Sequence, residues 1–156
     1  MYLQILVYCL GLIVTSIVFA LLEIQIEGPV GWAKNLPTWR IDNKLVRFFY
    51  SGKPLTGYHF YTIVFIFLMT HAPWFIGLAV PTWRGEARIL SFNILFWVLE
   101  DFLWFVLNPA FGLKKFRKEN IWWHAPAWWW VMPRDYWFGL FAGVAMFVAS
   151  VWQFHA

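Results

Sequence analysis

Residues Ser91–Leu107 read SFNILFWVLEDFLWFVL, a run apolar enough to cross a bilayer and yet interrupted by the adjacent carboxylates Glu100 and Asp101. A carboxylate in hydrocarbon is costly unless protons, cations or partner side chains compensate it, so an acidic pair in such a run marks a functional site by default. On a helix advancing 100° per residue, Asn93, Trp97, Glu100, Asp101, Trp104 and Asn108 fall within an arc of roughly 100°. Leu95, Phe96, Leu99, Phe102, Leu103 and Val106 supply the remaining surface. The stretch therefore predicts a membrane helix with one lipid-facing side and one polar interior side. A stripe of that kind can also hold helices together by hydrogen bonds alone.

The rest of the chain agrees with a membrane setting. Of 156 residues, 62% are hydrophobic and 13% charged, and the mean hydropathy is +0.60. That composition lies outside the range of soluble globular domains. Tyr2–Ile26, Gly57–Val80, Arg88–Leu107 and Asp135–Phe154 each approach the ~20 residues that a ~30 Å hydrocarbon core requires. The prediction is a single all-α domain, residues 1–156, with four transmembrane helices in a compact bundle. The first stretch lacks a basic leader and carries Glu23 and Glu27 at its end, so it reads as a permanent helix and not a signal peptide. The lone cysteine, Cys9, lies within it and reads as a small packing residue.

The net charge of +4 is informative through its distribution. Lys34, Arg40, Lys44, Arg47 and Lys53 follow the first stretch, and Lys114, Lys115, Arg117, Lys118 and Arg134 follow the third, whereas the second connection holds Arg84 and Arg88. By the positive-inside rule the first and third connections face the cytoplasm and both termini lie on the other side of a bacterial-type inner membrane. Anionic membrane lipids account for these charges, and nucleic-acid binding is excluded because no compact basic fold presents them. Ile41, Leu45, Phe48 and Phe49 recur at helical spacing opposite Asp42, Asn43, Lys44 and Arg47, which predicts a short amphipathic helix in the interface. Thirteen Trp residues are present. Most suit an interfacial belt, while Trp122–Trp130, with His124 inside it, is dense enough to roof the bundle on its cytoplasmic face.

Depth links the polar residues. Ser16, Ala20, Glu23 and Glu27 share one face of the first span, and Glu100 and Asp101 lie ~10–12 Å from the cytoplasmic end of the third. His59 begins the second span at that same surface, and His124 belongs to the Trp-rich connection. His71 lies ~18 Å further along the axis and reads as a packing or hydrogen-bonding residue. The sequence thus brings Glu23, Glu27, His59, Glu100, Asp101 and His124 to one leaflet, as candidate ligands for a divalent metal such as Zn, Fe or Mn. No Glu-x-x-His or His-x-x-x-His pair is present, and four histidines are too few for histidine-box di-iron chemistry. Without a metal, Glu100, Asp101, His59 and His124 are candidate acid–base catalysts for isomerisation, cyclisation or double-bond migration in a lipid.

Val98–Asn108 (VLEDFLWFVLN) resembles the signature helix of the membrane lycopene cyclase domain of carotenoid synthesis. The resemblance implies that Glu100 and Asp101 form an acidic pair that protonates an isoprenoid double bond. It covers one helix, about a tenth of the chain, and Val98-Leu99 stand where that family has a proline before the acids. The favoured expectation is a membrane enzyme acting on a lipid or isoprenoid substrate. Two other classes remain open: an assembly subunit, whose Gly139 and Gly143 could dock its last helix on a second copy, and an ion- or proton-coupled transporter.

Overall fold

In the computed structural model, which describes residues 2–152, the long apolar stretches are helical. Helix α1 spans Tyr2–Glu27, strand β1 Arg40–Ile41, helix α2 Lys44–Phe49, strand β2 Leu55–Thr56, helix α3 Gly57–Phe75 and helix α4 Trp83–Leu107. Three single 3-10 turns, strands β3 (Trp128–Trp129) and β4 (Met132–Pro133), and helix α5 (Arg134–Val151) complete the order. Among the described residues two helices, α1 and α4, are long and apolar enough to cross a membrane. Helices α3 and α5 are shorter, at 19 and 18 residues, and their apolar runs are diluted by His59, His71 and Pro73 in one and Arg134 and Asp135 in the other.

Several boundaries differ from expectation for identifiable reasons. Helix α3 stops at Phe75, short of Val80, because Gly77 adopts a positive φ of 74° and closes a Schellman motif. Leu78 N–H donates to Pro73 O at 2.8 Å and Gly77 N–H to Trp74 O at 3.2 Å, satisfying carbonyls that the helix leaves free. Helix α4 starts at Trp83, ahead of Arg88, because the Thr82 hydroxyl caps it by accepting from Gly85 N–H at 3.1 Å. Gln153 and Phe154, the end of the expected fourth stretch, lie outside the described residues. The amphipathic segment is helical only over Lys44–Phe49, since Ile41 pairs with Leu55 in the β1–β2 hairpin. Leu45, Phe48 and Phe49 remain exposed on it, and so does Cys9 on α1.

Helix α4 is the centre of the packing, meeting α5 most extensively, α1 next and α3 lightly. Side-chain pins give the directions. Tyr8 shares a 2.8 Å hydrogen bond with Ser91, and Asn108 donates to Gly28 O at 3.0 Å, so α1 and α4 run parallel. Ser91 donates to Gly143 O at 2.7 Å and Tyr136 reaches Asp101, so α5 runs antiparallel to α4. His71, near the end of α3, meets Glu86 in the first turn of α4 at 3.4 Å, and His59, at the start of α3, lines one cavity with Glu100 and Asp101 toward the end of α4, so this pair is antiparallel as well. Gly139 and Gly143 face α4: a Cβ at the first would lie 2.5 Å from Val98 Cγ2 and at the second 2.6 Å from Leu95 Cγ, so within this chain the two glycines serve the α4–α5 contact.

At the C-terminal end of α4 an apolar cluster forms from Ala20, Ile24, Trp104, Phe105, Ile121 and Trp123. Trp123 stacks on Phe105 with centroids 5.7 Å apart, which fixes the following His124. By contrast, Trp128 and Trp129 turn away into the β3–β4 hairpin and Trp130 is 89% exposed. The Trp-rich segment therefore covers the interior through Trp123 and His124, with Trp128 packed at the edge of the same cluster. Trp128, Trp129 and Trp130 line a separate aromatic groove with Trp137, Phe138 and Phe141.

Candidate functional site

Where α1 and α4 end and α3 and α5 begin, the helices leave a cavity of about 360 Å³. Glu23, Glu27, His59, Glu100, Asp101 and His124 all line it. So do Lys53, Asp135 and Tyr136, which the sequence reading did not single out as site residues. Apolar walls come from Ile63, Ile94, Trp97 and Val98. The site residues divide into two clusters.

The first is built around Asp101. His124 Nε2 lies 2.8 Å and the Tyr136 hydroxyl 2.5 Å from the same carboxylate oxygen, Oδ2. Lys53 Nζ lies 3.4 Å from His124 Nδ1. An ammonium can only donate, so Nδ1 accepts, and Nε2 keeps its hydrogen and donates to Asp101. The neutral ring is consistent with its setting: burial pulls the His124 pKa below its ordinary value, and the Lys53 ammonium adds to that, outweighing Asp101. Burial likewise lowers the Lys53 pKa, while Asp101 and Asp135 oppose the shift. Lys53 Nζ also sits 4.3 Å above the Trp32 ring and 3.9 Å from Asp135, an arrangement that shelters its charge from the apolar surroundings. Ser51 donates to Asp135 and accepts from Arg134 at 2.5 Å, tying the β2 approach to the start of α5.

The second cluster joins Glu23, Glu27 and His59, whose ligand atoms all lie within 4.8 Å of one another. Glu27 accepts from Ala33 N–H. That donor is aimed by a tight turn in which Gly31, Trp32 and Ala33 take φ values of 67°, 51° and 49°. Only glycine fits at residue 31, because a Cβ there would meet Trp123 Cη2 at 2.5 Å. His59 is fixed from two sides, by Thr56 Oγ1 at 2.7 Å from Nδ1 and by Trp32 stacked at 4.0 Å between centroids. Its Nε2 points to Glu27 Oε1 at 3.5 Å, long for a hydrogen bond. Between the clusters Glu100 is 1% exposed, and its Oε1 has no hydrogen-bond partner.

Lys53 and Tyr136 were missed for different reasons. Lys53 counted as one of five basic residues marking the cytoplasmic side, although the adjoining Pro54 and the start of α3 place it at the depth of His59. Tyr136 follows Arg134-Asp135 at the mouth of an apolar helix, and that polar trio was a readable signal. His71 stands apart from the cavity, with Nδ1 2.6 Å from Phe67 O and Nε2 3.4 Å from Glu86. Comparison with protein-family models, with curated proteins and with solved structures finds no match for this chain.

Proposed function

We propose that the chain is a four-span membrane enzyme acting by proton transfer on a lipid or isoprenoid substrate bound in the cavity near the cytoplasmic leaflet. The observation that carries this reading is the Asp101 carboxylate, which takes two donors on one oxygen in a cavity that combines a polar set of Glu, Asp, His and Lys side chains with Trp and aliphatic walls. Support for four spans comes from the alternating directions of α1, α3, α4 and α5 and from the uncovered apolar faces of all but α4. Leu3, Val7 and Val18 on α1, Phe65 and Met69 on α3, and Phe138, Phe141 and Val144 on α5 are each at least half exposed. Such continuous apolar surface suits hydrocarbon better than water.

The proton path follows the geometry. A proton passed from Lys53 to His124 Nδ1 releases the one on Nε2 to Asp101, and the Tyr136 hydroxyl holds that carboxylate in place. Protonation of a double bond by Asp101 leaves positive charge on carbon, which the Trp97 and Trp104 rings at the cavity wall stabilise until the Asp101 carboxylate takes a proton from the neighbouring carbon and the double bond re-forms one position along. A photoreactive isoprenoid or phospholipid, incorporated into liposomes with the full chain, tests the binding step. Crosslinks to Ile63, Trp97 or Val98 are the expected outcome; crosslinks confined to outward residues such as Val7 and Phe141 would remove the substrate from the cavity and refute the reading.

A further inference from the structure

The cavity contains more carboxyl groups than its own basic residues can pair. Five carboxyl groups line it, from Glu23, Glu27, Glu100, Asp101 and Asp135, against the single ammonium of Lys53. Asp135 is also served by Arg134, with Nε 3.6 Å from Oδ1, and Asp101 by its two donors. Glu23, Glu27 and Glu100 have no basic side chain within ion-pair distance among the described residues, apart from His59 beside Glu27. Uncompensated buried carboxylates are expensive, and a bound cation is one of the few ways to offset several at once.

The geometry points to a divalent-cation site formed by Glu23, Glu27 and His59, with Glu100 as a fourth ligand. Three observations converge on it. The ligand atoms of Glu23, Glu27 and His59 already lie within 4.8 Å of one another, a spread that a small contraction would close around an ion with ~2.0–2.2 Å bonds. Glu100 supplies an oxygen that is buried and lines the same cavity, and the Glu23 carboxyl, itself one of the ligands, is its only side-chain hydrogen-bonding neighbour among the described residues. His59 is presented as a metal ligand usually is. When Nδ1–H donates to Thr56 Oγ1, the lone pair of Nε2 is directed toward the carboxylates. Asp101 and His124 are excluded from the ligand set because each is already engaged by the other and by Tyr136 or Lys53. Three carboxylates and one imidazole form a hard oxygen-rich set, which favours Mn2+, Fe2+ or Zn2+ over soft thiophilic ions. The site rests on the lipid-enzyme reading for its purpose: a cation beside the Asp101 cluster would hold an oxygen of the substrate headgroup while the cluster moves the proton.

The test uses the full chain purified in mild detergent, stripped of metal and titrated with Mn2+ alone, followed by competition with Zn2+. About one Mn2+ per chain should bind. Glu27→Gln and His59→Gln should each weaken binding by at least about tenfold, and Thr56→Val, which removes the partner of Nδ1, by ~10-fold. Asp101→Asn, which removes a neighbouring charge but no ligand, should weaken binding less than Glu27→Gln does, and His124→Gln less still. Electron spin-echo spectra of Mn2+ on the unsubstituted protein should show a directly bound histidine nitrogen, a readout that survives if a variant fails to fold. Absence of Mn2+ and Zn2+ binding at millimolar concentration, a spectrum without histidine nitrogen, or equal losses in Asp101→Asn and Glu27→Gln would each overturn the site. Mn2+ binding with the expected spectrum but no lipid crosslinked in the cavity would uphold the site and refute the lipid reading instead.

Discussion

Removing the Tyr136 hydroxyl and the Asp101 carboxylate, singly and together, measures how strongly their junction holds α4 to α5. Tyr136 is 5% exposed, and its hydroxyl lies 2.5 Å from the carboxylate. A hydrogen bond to a charged group contributes about 1.5–3 kcal/mol. Tyr136→Phe leaves the carboxylate its His124 donor, so no acceptor is orphaned, and the expected cost is about 2 kcal/mol. Asp101→Asn should cost more, because an amide offers one acceptor oxygen and an NH2 group where two donors now converge. The double variant should lose about 1–2 kcal/mol less than the sum of the singles, the coupling expected for residues in direct contact. Equilibrium unfolding in mixed micelles of mild detergent and dodecyl sulfate gives all three values. Additivity within ~0.5 kcal/mol would show that the two residues do not interact and would refute the junction.

Gly31→Ala should lower the melting temperature, since it combines a left-handed backbone, ~1–2 kcal/mol for a residue with a Cβ, with a contact 2.5 Å from Trp123; unaltered stability and tryptophan fluorescence would contradict the packed turn. The pH dependence follows from His124, whose folded pKa lies below its ordinary 6.5. The unfolded chain then takes up a proton first as pH falls through 6.5, so stability should decline below that pH. In the metal-free protein His124→Gln should remove part of the decline, and an identical slope would show that the ring is not buried neutral. For topology, cysteines substituted at Lys44 and Lys115 should react with impermeant reagents only from the cytoplasmic side and a cysteine at Arg84 only from the opposite side; labelling of Lys44→Cys from outside intact cells would break the shared depth of the site.

Periodicity and composition were enough to find the helices, because a twenty-residue apolar run has few other options, and α1 and α4 were legible almost to their ends. Capping chemistry moved two boundaries, the start of α4, which Thr82 carries back from Arg88 to Trp83, and the end of α3, which Gly77 shortens. Glu23, Glu27, His59, Glu100 and Asp101 could be brought to one level from rise per residue, whereas His124 lies in a connection without periodicity; all six line one cavity. Their division into two clusters could not be read, because it depends on elements with no periodic signature. The β1–β2 hairpin sets Thr56 against His59, and the Gly31–Ala33 turn aims an N–H at Glu27. Stacking of Trp123 on Phe105 carries His124 inward to Asp101. These are contacts between residues distant in sequence, and no spacing rule announces them.

The central claim is that the Asp101 cluster transfers protons to or from lipid carbon. The most direct measurement is deuterium incorporation into carbon-bound positions of isoprenoid and phospholipid substrates in liposomes prepared in heavy water, read by mass spectrometry. The unsubstituted chain should label one lipid class, and Asp101→Asn and His124→Gln should slow that labelling by at least ~100-fold, the usual contribution of a positioned acid–base group. Labelling at the same rate in Asp101→Asn, or none above liposomes without protein, would contradict the account.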